Sequence, residues 1–115
     1  MDGTPNMADL FGRMAEMQQK VADTQSALAA ERVTAEAGGG MVAVTADGTG
    51  RLVSVKIERE VINPDDSELL EDLLVAGINK ALDEAEALKA RKMQEAASAM
   101  LPPGLDLGGL DRMGF

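Results

Sequence analysis

AGGGMVAVTADGTGRLVSVKIEREVINPDDSELLEDLLVAGINKALDEAEALKARKM runs from Ala37 to Met93, and the order of its pieces decides the fold. Gly38-Gly39-Gly40 reads as a turn or bulge, because glycine takes positive φ without a steric penalty. Beyond it Val42, Val44 and Ala46 alternate with Ala43 and Thr45, the period of two that puts one set on each face of a strand. Asp47-Gly48-Thr49-Gly50 is a strong short-range hairpin signal. The next strand, Arg51 to Glu58, is expected to carry Val53, Val55 and Ile57 on one face and Ser54, Lys56 and Glu58 on the other. Then the period changes. Asn63, placed before Pro64, or Asp65, three residues before Glu68, caps a helix. Leu70, Leu73, Leu74, Ile78, Ala81, Leu82, Ala85 and Leu88 hold its apolar face. The pattern fades through Ala96 and Met100 and stops before Pro102-Pro103-Gly104, which predicts a helix from about residue 65 to 100.

Upstream, Met7, Leu10, Met14, Met17, Val21, Thr24 and Leu28 follow steps of 3, 4, 3, 4, 3 and 4. That is a heptad seam broken only by Thr24, and it predicts a first helix over residues 7–30. Asn6 or Asp9 caps it, and Asp9 with Arg13 and Glu16 with Lys20 stand at the favourable i, i+4 spacing for ion pairs. Arg32 to Ala37 alternates weakly as a first strand. The expected subunit is α+β in the order α-β-β-β-α, with a three-stranded antiparallel meander. Residues 1–6 read as a flexible leader, 7–101 as one domain and 102–115 as a mobile Gly/Pro/Leu-rich tail.

Length then argues for a partner. The second helix is roughly 50 Å long at 1.5 Å per residue, whereas an eight-residue strand spans only about 26 Å. The first helix packs on the second in this reading, yet both stripes run past the sheet, and three short strands leave an open edge. A homodimer in which sheets pair or pack and the helix ends project as arms resolves both problems.

Composition excludes several functions. With no cysteine there are no disulfides or thiolate metal sites, and with no histidine the usual general base near neutral pH is missing. Phe11 and Phe115 are the only aromatic residues, too few for a platform that stacks single-stranded bases. The absence of cysteine makes the cytoplasm the expected location; no run approaches the ~18 residues of a membrane span, and the N-terminus lacks the basic-then-apolar order of a signal peptide. No GK[ST] or GxGxxG accompanies the triple glycine, and the Asp65, Asp66 and Glu68 group lacks the spacing of a calcium loop. Neither an enzyme nor a cofactor or metal site is expected. The net charge of −9 opposes avid, indiscriminate binding to polyanions.

GGGMVAVTADGTGRLVSVKIE, then NPDDSELLEDLLVAGINKALDEAEAL and KM, resembles the YbaB/EbfC family of bacterial nucleoid-associated proteins. ADLFGRMAEMQQKVADTQSALAAERVTAEA is similar to the family's Met- and Gln-rich first helix, so the likeness covers roughly residues 7–101 in one colinear order. It implies a tweezer-like homodimer that binds double-stranded DNA with little sequence preference, in the nucleoid.

Phosphate contact requires bases placed to displace counterions. Asp65 to Glu86 holds eight acids and one base, Lys80, whereas Leu88 to Met100 holds Lys89, Arg91 and Lys92 against Glu95 alone. With the resemblance, that cluster becomes the first candidate for DNA contact. The same order of charges also suits the helix macrodipole. Arg13 and Lys20, seven residues apart, share a face of the first helix and are candidates beside the reading of a solvated ion-paired face. Arg32, at the handover to the first strand, is a third. No recognition helix presents base-reading side chains. An acidic dimeric adaptor, binding a protein through its arms or through Leu105, Leu107 and Leu110 of the tail, is the alternative function.

Overall fold

The computed structural model describes residues 6–99; the expected leader (apart from Asn6) and the 102–115 tail lie outside the described residues. The elements are α1 (Met7–Ala30), β1 (Arg32–Ala37), β2 (Val42–Asp47), β3 (Leu52–Ile57) and α2 (Ser67–Ala99). Two 3-10 turns, Arg59–Val61 and Pro64–Asp66, join β3 to α2. The strands form an antiparallel sheet in the order β1-β2-β3.

Local chemistry sets the boundaries. Asn6 caps α1 by accepting from the Asp9 amide at 2.8 Å, and Asn63 accepts from the Asp65 amide at 3.0 Å at the entry to α2. For α1 the asparagine is the cap used, whereas Asn63 caps the Pro64–Asp66 turn that precedes α2. Gly38, Gly39 and Gly40 all have positive φ, from +63 to +97°, where a side chain would be strained. At the β2–β3 turn the Asp47 carboxylate accepts from the Thr49 hydroxyl at 2.6 Å and from the amides of Thr49 and Arg51 at 2.9 and 3.1 Å.

The core is thin. Ala35, Val42, Val44 and Ala46 of the sheet pack on Ala81 and Ala85 of α2, with Val33, Ile57, Leu70, Leu73, Leu74 and Ile78 around them. Val42 and Val44 are fully buried, and each contributes roughly 1.5–3 kcal/mol relative to exposure. Gly77 brings α2 close to the sheet: a Cβ there would lie 3.1 Å from the Val44 Cγ2.

Two features differ from the sequence reading. First, the register of β2 on β3 shifts between Thr45 and Ala46, from Thr45 opposite Ser54 to Ala46 opposite Leu52. Val53 is the extra residue of a bulge, so the residues paired with Ala46, Val44 and Val42 are Leu52, Val55 and Ile57, of which Ile57 reaches the core, and simple alternation fails. Second, α1 does not pack along α2 for its length. Leu28 is the buried residue of α1 and Thr24 is half-buried, but Met7, Leu10, Met14, Met17 and Val21 are 46–65% exposed. The reason is reach, because α1 enters the sheet where α2 has only begun to leave it, and α2 ends at Ala99 among the described residues. The molecule measures 78 × 32 × 16 Å, a small core carrying a long two-helix arm.

A candidate nucleic-acid interface on the arm

The Gly48 amide donates to the Leu28 carbonyl at 2.9 Å, which fixes the end of α1 against the β2–β3 turn. From there α1 runs away from the sheet toward its own N-terminus, and α2 runs away toward its C-terminus, so the helices are antiparallel. Between them is a groove of about 320 Å³, bordered by Lys20, Thr24 and Leu28 on α1 and by Lys92, Ala96 and Ala99 on α2.

All six bases expected to contact DNA are described, and they do not form one patch. At 100° per residue, Lys89 and Arg91 stand about 160° apart around α2. Lys92 faces the α1–α2 groove, Lys89 borders a depression with Gly48, Thr49 and Gly50, and Arg91 lies with Gln94 and Ser98 on another flank. Lys20 joins Lys92 in the groove. Arg13 is farther out, beside Asp9, Gly12 and Glu16. Arg32 closes the end of α1, its Nη1 donating to the carbonyls of Ala29 and Glu31 at 2.9 Å each.

Carboxylates accompany every arm base. Asp23, Glu31 and Glu95 border the groove with Lys20 and Lys92, and Glu86 shares the depression of Lys89. Lys92 and Glu95 approach to 4.0 Å, the one ion pair among the described residues; neither Asp9–Arg13 nor Glu16–Lys20 closes to that distance. A half-exposed pair at that separation is worth little. Arg51 is a base that the sequence reading passed over. It is exposed, and it follows Gly50, which borders the same depression as Lys89. Its place directly after the Asp-Gly turn was the available signal.

The sheet offers a second surface. α2 lies across β1 and β2, leaving β3 largely uncovered. Leu52, Val53 and Val55 are 40–48% exposed, although Val55 pairs with Val44, which is fully buried.

Comparison with known proteins places these features in a context. Residues 2–100 match the YbaB/EbfC DNA-binding family. A nucleoid-associated protein of Alkaliphilus metalliredigens is 37% identical over 91% of this chain and 92% of its own. One from Syntrophobacter fumaroxidans is 43% identical over 82% of this chain and 86% of its own. An uncharacterized protein of Helicobacter pylori, solved by crystallography, superimposes with a TM-score of 0.69 over 86% of this chain and all of its own. At 23% identity that likeness concerns the fold.

Proposed function

The chain belongs to the YbaB/EbfC DNA-binding family, and from that premise we propose that it is a non-enzymatic nucleoid protein that binds double-stranded DNA as a homodimer. Contact is with backbone phosphates and carries little sequence preference. The observation that carries this reading is the family match across nearly all described residues.

Two features of the geometry support the finer claims. Lys89, Arg91 and Lys92 stand where α2 has left the sheet, on an arm that protrudes far enough to lie along a duplex. Distributed around the helix and mixed with carboxylates, they suit a broad electrostatic contact better than a bidentate reading of one base edge. For the homodimer, the uncovered apolar side of β3 is the surface a second copy would cover, since three exposed residues there sit on the same sheet as the core.

The test is a titration with duplex DNA at about 50 mM salt, repeated at higher salt. Binding that weakens steeply with salt and varies little with sequence supports the proposal, and no binding at high protein excess rejects it. Replacing Lys89, Arg91 and Lys92 together by Ala should weaken binding similarly for all sequences and flatten the salt slope. Association with a protein that survives nuclease treatment, with no DNA binding, would favour the adaptor reading.

A further inference from the structure

We propose that the open face of the sheet, turned away from α2, is a second surface for the phosphates of duplex DNA. Arg51 and Lys56 are its charged contacts, and Thr34, Thr45 and Ser54 are its hydroxyl donors. This role rests on the DNA-binding reading above and places a contact outside the arm.

Strand register defines the face. On the middle strand Val42, Val44 and Ala46 are buried toward α2, whereas Ala43 and Thr45 between them are half-exposed. Pairing extends that alternation sideways into rows. Glu36, Ala43 and Lys56 form one row, and Thr34, Thr45 and Ser54 form the next. Arg32, Asp47 and Arg51 form the third, because Asp47 pairs with Arg32 and the Asp47 amide donates to the Arg51 carbonyl at 2.9 Å. Leu52, opposite Ala46, belongs to the other face, as alternation from Arg51 requires. Thr34, Arg51, Ser54 and Lys56 are all exposed.

The charge of this face differs from that of the chain. It holds three bases and two acids on a protein of net charge −9. Both acids are turned aside. The Asp47 carboxylate is buried and accepts from the Thr49 hydroxyl and from two amides. The Glu36 carboxylate lies beside the triple-glycine turn, 3.5 Å from where a Cβ at Gly40 would stand, and Ala43 separates its residue from Lys56. Among the bases, the Arg32 guanidinium is held by two carbonyls. Arg51 and Lys56 are left, neither of them in an ion pair among the described residues.

The hydroxyls suit the same ligand. Thr34 and Thr45 share one hydrogen bond at 3.0 Å, which uses one of their two protons and leaves the other to donate outward. Ser54, exposed beside Thr45, adds a donor. Such hydroxyls bind phosphate oxygens without reading sequence. Arg51 and Lys56 stand about 14 Å apart along the sheet, so the face can follow one DNA strand over about four nucleotides. The Arg51 backbone is fixed on both sides, its amide donating to the Asp47 carboxylate at 3.1 Å and its carbonyl accepting from the Asp47 amide. Contact there requires no loop to be ordered.

Salt-dependent titration of the full chain with duplex DNA tests the face. In an Arg51→Ala/Lys56→Ala variant the slope of log affinity against log salt should fall by nearly two, so the affinity lost between about 50 and 200 mM salt becomes roughly ten-fold smaller. Lys80→Ala is the control, because Lys80 is exposed among the acids of α2, and its slope should equal the parent's. An unchanged slope in the double variant, or an equal fall per charge in the control, overturns the proposal. A second measurement needs no variant. Amide resonances of Thr34, Thr45 and Ser54 should shift when a short duplex is added to the labelled parent, and shifts confined to α1 and α2 overturn the proposal. If the double variant matches the parent while replacement of Lys89, Arg91 and Lys92 lowers the slope, this face fails and the DNA-binding reading stands. If the parent binds no duplex, both fail.

Discussion

Gly48 lies against the backbone of Leu28: its amide donates to the Leu28 carbonyl at 2.9 Å, and a Cβ added there would sit 2.8 Å from both that oxygen and the Leu28 Cδ2. The end of α1 and the tip of the β2–β3 hairpin meet through this contact, so it positions the end of α1.

Gly48→Ala is therefore expected to destabilise the fold by about 1–3 kcal/mol, the usual cost of overpacking. Gly12→Ala is the control. Nothing lies within 4 Å of a Cβ at Gly12, and helix propensity favours the alanine there by roughly 1 kcal/mol. Urea unfolding of the two variants should move in opposite directions from the parent.

Asp47 gives the fold an acid-sensitive point. The hydrogen bond from the Thr49 hydroxyl, followed by that from the Arg51 amide, holds its carboxyl below the ordinary aspartate range. A depressed folded pKa stabilises the protein above the unfolded value, about 3.9, and that stabilisation is lost as pH falls through the folded value. Asp47→Asn should consequently melt below the parent at pH 7. The gap should narrow as pH drops beneath about 4. A constant gap across that range would exclude the carboxylate as its source.

Under the homodimer proposed above, placing Lys at both Val53 and Val55 should prevent association with little damage to the subunit, since both side chains are 40–48% exposed within it. Sedimentation is expected to show a dimeric parent and a folded monomeric variant, with an unchanged far-ultraviolet dichroism spectrum. A dimeric variant would move the interface elsewhere.

Single replacements should separate the arm bases. Arg91→Ala is expected to lower the salt slope of DNA binding by nearly one, the value for a single phosphate contact. Lys92→Ala should do less, because Lys92 is half-buried in the groove and lies 4.0 Å from Glu95. Equal effects would mean that the groove opens when DNA binds.

Much of this architecture was legible in the sequence because turn chemistry and period agreed. Gly38-Gly39-Gly40 and Asp47-Gly48-Thr49-Gly50 bracket β2, and α1 begins and ends at the predicted 7 and 30. Val53 was misplaced because a bulge depends on pairing with β2, and nothing within β3 marks it. The bare seam was misjudged for a similar reason: heptad spacing announces a partner without saying how far that partner extends. The divergence of Lys89, Arg91 and Lys92 was available from helical angles alone. Counting charge along the chain concealed it.

The contact between Gly48 and Leu28 also makes α1 a lever. Met7 lies about 31 Å from Leu28 along the helix axis, so a tilt of about 10° at that fulcrum swings the tip through roughly 5 Å, close to one helical pitch. Core packing at Val42 and Val44 need not change for the arm to sweep that distance. A duplex whose groove width or curvature varies from site to site would then be met by a swing of α1 that widens or narrows its groove with α2, and tolerance of DNA shape would be a mechanical property of the subunit.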